Sequence, residues 1–494
     1  MVNVCKPCSK IIRAPVPAVS NPELLTASLE EIKSAISQHK ACLTALETRE
    51  REIAQRLTRG LTVYPVLALP NEIVSRIFIQ CLPSHGRVRP SRRRAPLLLA
   101  QICRHWREIA LSTCQLWAAV DINAGFIDLM PGARNNTIQR GLPLIQTWFS
   151  RAMACPLSLT IRSSKQKLPV SIYPIISTVA ERLHRLELSL LDEDVASLQQ
   201  LSISLPHLQH LAICSDKMRP FSIFPSTPRV HDLYTSQISV SELGLYPNLT
   251  RLQLSTVSLK SLLQILQSRP KIICVAARLA PTAVDSSISA PPPLKHLSSL
   301  TLYGRNAPKA VESALKLLTL PNLHHLELHV ELELNPDSLL TFFSRSACAL
   351  DHLTLGFNYS RTFQGCLAAL PLLKSLEVEV NHRTMVHFRE LLDTRALVPR
   401  LAALSMRVDT EDLDYAAFGK SLAMRRRHNP DFQSLRLDIH QDSYDDDDAD
   451  TQWLPRRAKQ VFERLMADGL QIQVNWESEE GWPERWVDPC ETFY

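Results

Sequence analysis

The chain has 494 residues, with 55 Lys and Arg against 49 Asp and Glu, and a formal net charge of +6 at pH 7. That length accommodates several units and a sizeable core, while so mild and dispersed a basic excess does not by itself call for nucleic acid. No apolar run approaches the roughly eighteen residues of a membrane span, no apolar leader core opens MVNVCKPCSK, and the 12 cysteines are scattered like buried hydrophobes of a reducing compartment. Cytoplasm, nucleus or both are therefore expected, with no membrane partner.

Residues 1–20 lack periodicity and read as disordered. Cys5 and Cys8 are the one close cysteine pair, but zinc needs two further ligands at matching spacing and none follows nearby. Residues 21–60 predict a long helix: Asn21 suits the N-cap, Pro22 the first helical position, Glu23 the positive end of the dipole. Leu25, Leu29, Ile32, Ile36, Leu43, Leu46, Ile53 and Leu57 recur at steps of four and three, the heptad signature of a coiled coil. His39 and Glu50 fill the remaining seam positions and weaken a stable dimer. The helix pairs with a second chain, as a weak homodimer, or folds back on its own; a short or transient coiled coil is the favoured reading. Gly60 is placed as its C-cap.

Next come LPNEIVSRIFIQCLP from Leu69 and, after a basic interruption, APLLLAQICRHWREIALSTCQLWAAV to Val120. The first stretch predicts a helix with Ile73, Ile77, Phe78 and Leu82 apolar; the second predicts a helix with Leu98, Ile102, Cys103, Trp106 and Ile109, closing on Leu116 and Trp117. Pro70 fits a first helical turn. About fifty residues bury little core alone, so this row of apolar side chains is expected to serve a partner too. The segment resembles the F-box, in which Leu-Pro-x-Glu-Ile precedes a helix, then Cys-x-x-Trp-Arg and a terminal Leu-Trp. Here those positions are Leu69, Pro70, Glu72, Ile73, Cys103, Trp106, Arg107, Ile109, Leu116 and Trp117. The resemblance implies an all-α F-box over 61–122 that docks on a Skp-type adaptor through Leu69, Pro70, Ile73, Ile77, Phe78, Ile102, Cys103, Trp106, Ile109, Leu116 and Trp117. One departure is the insertion from Pro83 to Pro96, with Arg87, Arg89, Arg92, Arg93 and Arg94, read as a solvated surface loop rather than a nucleic-acid or nuclear-import patch.

Residues 123–155 read as linker helices, chiefly Thr137–Ala154 with Leu144, Ile145, Trp148 and Phe149. From 156 to 494 an apolar-x-x-apolar-x-apolar word repeats, starting at Leu183, Leu208, Val230, Leu249, Ile272, Leu297, Leu323, Leu350, Leu373, Leu401 and Phe432, 19 to 31 residues apart. That spacing suits leucine-rich repeats. Pro206, Pro228, Pro247, Pro270, Pro321, Pro371, Pro399 and Pro430 stand two residues before the first apolar seat, stopping the preceding helix. Helical stretches such as Ser261–Ser268, Glu312–Leu318 and Leu339–Phe343 separate the words, so an α/β solenoid with a parallel inner sheet is predicted. The asparagine of regular repeats is missing, Leu191 and Val257 taking its place, so the solenoid is irregular. Arg456–Asp468, Gly469 and a strand over Leu470–Trp476 form a terminal cap. The aspartates 445–448 lack the alternate spacing of a calcium loop and read as a solvated run; the placement of Trp482 and Trp486 is left open.

The chain resembles the F-box-like proteins of fungal type, with a coiled-coil helix, an F-box and irregular leucine-rich repeats. That resemblance implies a substrate receptor of an SCF-type ubiquitin ligase: the adaptor joins cullin and RING subunits, and the repeats hold an unknown target protein. The alternative is a repeat scaffold not acting in ubiquitylation. No enzyme motif and no cofactor is found. Strand alternation points the residues between apolar seats to the concave face, collecting Tyr303, His325, Glu327, His329, His352, Glu377 and Glu379 as the expected target surface, one suited to a basic segment and weakened as its histidines charge near pH 6. His324, His325, Glu327 and His329 resemble a metal cluster on paper, but polar surface is the expectation and no metal is assigned.

Overall fold

The computed structural model describes residues 22–61, 69–83, 86–123, 137–163, 172–200, 203–215, 224, 227–236, 238–281, 289–330, 334–358, 363–409, 414–440 and 456–477. Cys5, Cys8, the aspartates 445–448, Trp482 and Trp486 lie outside them. The chain divides into two compact units, residues 1–77 and 78–494.

The first unit is dominated by α1 (Pro22–Leu61), 40 residues of continuous helix. At 1.5 Å per residue it is about 60 Å long. Its seam stays open to solvent: Leu29, Ile32, Ile36, Leu43, Leu46 and Ile53 are each 42–61% exposed. Gly60, expected as the C-cap, instead lies inside the last turn, and the helix ends one residue later. A glycine near a helix end is tolerated there because the cost of its freedom falls where the turn frays anyway. Helix α2 (Asn71–Gln80) begins with the Pro70 carbonyl accepting from Ile73 and Val74 N–H.

In the second unit the predicted second helix is two. Helix α3 (Leu99–Ile102) ends at Cys103, whose extended backbone starts α4 (Arg104–Ser112). A one-turn 3-10 helix, Cys114–Trp117, leads straight into β1 (Ala119–Asn123). After α5 (Thr137–Arg151) come β2 (Leu157–Arg162), α6 (Tyr173–Val179), β3 (Leu183–Leu190), α7 (Asp192–Gln199), β4 (His210–Ser215), β5 (Asp232–Thr235) and β6 (Arg251–Val257). Then follow α8 (Leu259–Ser268), β7 (Cys274–Leu279), β8 (Ser299–Tyr303), α9 (Pro308–Leu317), β9 (His325–His329), α10 (Pro336–Ser346) and β10 (His352–Asn358). The series closes with α11 (Gln364–Ala368), β11 (Ser375–Val380), α12 (His382–Asp393), β12 (Ala403–Asp409), α13 (Tyr415–His428), β13 (Ser434–His440), α14 (Arg456–Ala467) and β14 (Gln471–Glu477).

The strands form one 14-stranded sheet in strict chain order. All neighbours are parallel, so each strand is reached by a crossover rather than a hairpin. This is the strand–helix solenoid the repeated word predicts, and both degenerate copies, at Val230 and Ile272, lead into strands, β5 and β7. The apolar seats stack in register, as Leu300, Leu326, Leu353 and Leu376 do, all fully buried. Strands β1 and β2 were not foreseen, although Trp117, Val120 and Ile122 repeat the spacing of the word at β1 and are all buried.

The eight recurring prolines have a more specific role than ending helices. Each is the second residue of a four-residue turn closed by a backbone hydrogen bond across it: Leu208 N–H to Leu205 O, Leu323 to Leu320, Leu373 to Leu370, Leu401 to Val398 and Phe432 to Asn429 at 3.1–3.3 Å, with Val230, Leu249 and Ile272 likewise. Proline's fixed φ suits that second position. The turn then delivers the first apolar seat to the core just before each strand.

Arginines tie successive repeats together. Arg345 in α10 donates to Leu315 O and Leu318 O of the preceding repeat at 2.5 and 2.6 Å. Arg425 in α13 is 1% exposed and donates to Thr394 O (3.2 Å), Leu397 O (2.9 Å) and Val398 O. Burial lowers the pKa of both guanidinium groups below the usual arginine value. Their stabilisation comes from carbonyls left over at helix ends and turns.

Candidate functional site

Two regions gather the residues singled out by sequence. In the F-box-like segment, the spacing Cys-x-x-Trp has a local cause. The Cys103 thiol caps α4, its Sγ accepting the Trp106 backbone N–H at 3.4 Å, three residues on, as an N-cap side chain does. Trp117 is fully buried, donates its indole N–H to Ala110 O at 2.9 Å and meets Trp148 edge-on with ring centroids 4.8 Å apart. The Arg151 guanidinium lies 4.6 Å above the Trp117 ring. Phe78 packs edge-on against Trp106 at 5.0 Å.

The side chains expected to meet the adaptor divide by exposure. Phe78, Ile109, Leu116 and Trp117 are buried; Leu69, Cys103 and Trp106 are partly covered; Pro70 is exposed. Ile73 and Ile77, one turn apart on α2, are each 43% exposed, and Leu98 and Ile102, also one turn apart, are 41% and 53% exposed. Residues four apart share a helix face. Leu98 had not been chosen as a contact residue; only its exposure reveals it.

The arginine insertion is not simply solvated, contrary to the expectation for a loop. Val88 is buried and its carbonyl accepts the Asp121 N–H at 2.8 Å, so the insertion pairs with β1, the first strand of the sheet. Arg87 Nε donates to Glu187 Oε2 on β3 at 2.9 Å, and Arg89 Nε to Asp121 Oδ2 at 3.2 Å. Asp121 is also held by Arg162, and Glu187 by Arg185 at 2.5 Å and the Thr160 hydroxyl at 3.3 Å. Burial alone would raise the Glu187 pKa, but Arg87, Arg185 and His210 outweigh it and hold the carboxyl below its ordinary value. Arg92, Arg93 and Arg94 remain exposed. Glu187 is 2% exposed and belongs to this internal network.

The predicted target surface is a ladder across β8 to β11. On β9, Leu326 and Leu328 are buried while His325, Glu327 and His329 are partly exposed on the opposite face, the period of two expected of a strand. Register places His352 beside His325, Thr354 between Glu327 and Glu377, and Tyr303 beside His329. The rings of His325 and His352 stack at 4.2 Å, and those of Tyr303 and His329 at 4.7 Å. Gly356 is needed for the second stack: a Cβ there would lie 2.4 Å from His329 Nδ1. Glu327 sits at the centre. Its Oε1 is 2.6 Å from His325 Nε2, and its Oε2 is 3.7 Å from His329 Nε2 and accepts from the Thr301 hydroxyl at 3.2 Å. Burial would raise the pKa of this carboxyl, but the hydrogen bonds and charge of the two histidines pull it well below the usual range. Glu377 and Glu379 continue the row on β11, where Glu379 lies in register with Arg407.

No helix among the described residues is long and apolar enough to cross a membrane. No protein-family model matches the chain, and no curated protein matches it. Among solved structures, the crystal structure of a structural-genomics target protein from Bacteroides fragilis covers 73% of this chain and 88% of its own, at 12% identity and a TM-score of 0.28. That superposition is too loose to bear on fold or function.

Proposed function

We propose that the chain is the substrate-recognition subunit of an SCF-type ubiquitin ligase, its F-box-like segment binding a Skp-type adaptor and its repeats binding the target protein. The observation carrying this reading is that the ordered F-box words coincide with two solvent-facing apolar pairs, Ile73 with Ile77 and Leu98 with Ile102. Large aliphatic side chains left at solvent favour a protein partner. The chain contributes no catalytic group in this reading. It raises the effective concentration of a target lysine near the charged conjugating enzyme, which the adaptor, cullin and RING subunits bring. The target lies along the open face of β8 to β11, at Tyr303, His325, Glu327, His329, His352, Glu377 and Glu379, and offers a basic segment to the carboxylates.

The test is co-purification of full-length protein with a Skp-type adaptor. Ile73→Glu with Ile77→Glu alters exposed positions, so thermal unfolding should be unchanged. Losing an apolar anchor at an interface commonly costs about 2 kcal/mol or more, roughly thirtyfold in affinity. Undiminished adaptor binding by this double variant would refute the F-box reading and leave a repeat scaffold. Charge reversal at Glu377 and Glu379 addresses the target face: captured proteins should change while the adaptor stays bound.

A further inference from the structure

We propose that His325, Glu327 and His352 form a binding site for one divalent transition metal of the zinc class on the open face of the sheet. One donor atom from each residue lies within 4.8 Å of the other two. The arrangement follows from backbone register rather than from chance side-chain rotation. His325 and Glu327 are two apart on β9 and therefore point to the same face, while His352 stands directly opposite His325 on β10. The sequence alone suggests His325, Glu327 and His329, all on one strand; cross-strand pairing replaces His329 with His352.

Zinc bonds of 2.0–2.2 Å to nitrogen and oxygen set tetrahedral donors about 3.3 Å apart. His325 and Glu327 already stand at 2.6 Å in their hydrogen bond. The remaining closure is a matter of χ rotation of three partly exposed side chains, and it must open the parallel 4.2 Å stack of the His325 and His352 rings, because imidazole lone pairs lie in the ring plane. His352 Nε2 lies 3.2 Å from the Thr354 hydroxyl, a contact that a rotating hydroxyl exchanges readily.

The surroundings act as an outer shell. The second oxygen of Glu327 is held by Thr301 at 3.2 Å, with His329 at 3.7 Å. His329 is wedged between Tyr303 and Gly356 beside that carboxylate, and the Thr301 hydroxyl orients it as outer-shell groups do around metal ligands. Two imidazoles and one carboxylate without a thiolate select zinc, nickel or copper over calcium or magnesium, which prefer oxygen alone. Three protein ligands leave a coordination position toward the open face, where water or a donor from a bound protein fits. The site does not depend on the ubiquitin-ligase reading.

The experiment uses the full chain freed of metal by chelation, with Cys5 and Cys8 replaced by Ser to remove a competing thiol pair. Zn2+ titrated calorimetrically at neutral pH should bind at one equivalent, and Mg2+ should not bind. His325→Ala with His352→Ala should weaken that equivalent at least about tenfold, with circular dichroism unchanged because both side chains are partly exposed. In the unsubstituted chain, Zn2+ should also protect His325 and His352 from diethyl pyrocarbonate, read by peptide mass spectrometry, so the site is tested even if the double variant folds poorly. Equal Zn2+ affinity in the double variant, or equal labelling of both histidines with and without Zn2+, overturns the proposal.

Discussion

Replacing Arg87 with Ala should loosen the first strands of the sheet, and the size of the effect follows from burial. The Arg87 side chain is 17% exposed and that of Glu187 3%, so their 2.9 Å contact is largely shielded from water. A hydrogen bond to a charged group contributes about 1.5–3 kcal/mol. Arg185 still holds Glu187 at 2.5 Å in the variant, so the carboxylate is not stranded and the loss should be about 2 kcal/mol. Because Val88 O accepts the Asp121 N–H, the effect is local. Hydrogen exchange at Asp121 and its β1 neighbours should quicken by about thirtyfold, the equivalent of that energy. Glu187→Gln removes the shared acceptor charge and should cost more, about 3 kcal/mol; the double variant should cost less than the sum. The pH dependence has a definite sign. Glu187 is lowered in the folded protein, so its contribution is complete above the unfolded carboxyl value of about 4.3 and disappears as pH falls through the lower folded value. The gap between wild type and Glu187→Gln should therefore close below about pH 4. Unchanged exchange in Arg87→Ala at neutral pH would mean that the insertion merely rests on the sheet.

Arg425→Met should destabilise the chain by about 2–4 kcal/mol in urea unfolding, because three carbonyls lose a fully buried donor; a cost below about 0.5 kcal/mol would contradict the clamp. Cys103→Ala should cost about 0.5–1 kcal/mol by removing the α4 cap, whereas Cys103→Ser should retain it, and equal loss in both would assign the effect to packing. If the exposed α1 seam pairs two chains, sedimentation of the full-length protein should show mass rising with concentration, and His39→Leu should strengthen it. A concentration-independent monomer in both would leave the seam to an intramolecular role.

The repeat register was legible in the sequence because it is a local, periodic property. A leucine word with a turn proline ahead of it states where eight of the strands start, and even the degenerate copies at Val230 and Ile272 obey it. The same holds for α1, a 40-residue helix whose heptad seats run from Leu25 to Leu57, and for Cys103 three residues before Trp106, where thiol and backbone N–H meet within one turn. What escaped were interactions between residues distant along the chain. Arg87 meets Glu187 a hundred positions away, and Arg89 meets Asp121 across 32; neither pairing leaves any periodic trace. Those contacts turn part of a loop that reads as solvated into an edge cover and bury Glu187 beneath it. His352 joined His325 for a related reason: side-chain alternation along one strand is a sequence property, but which residue stands opposite on the next strand depends on the length and turn of the crossover between them. Local chemistry determined the elements; packing across crossovers decided which charged and ligating side chains share a surface.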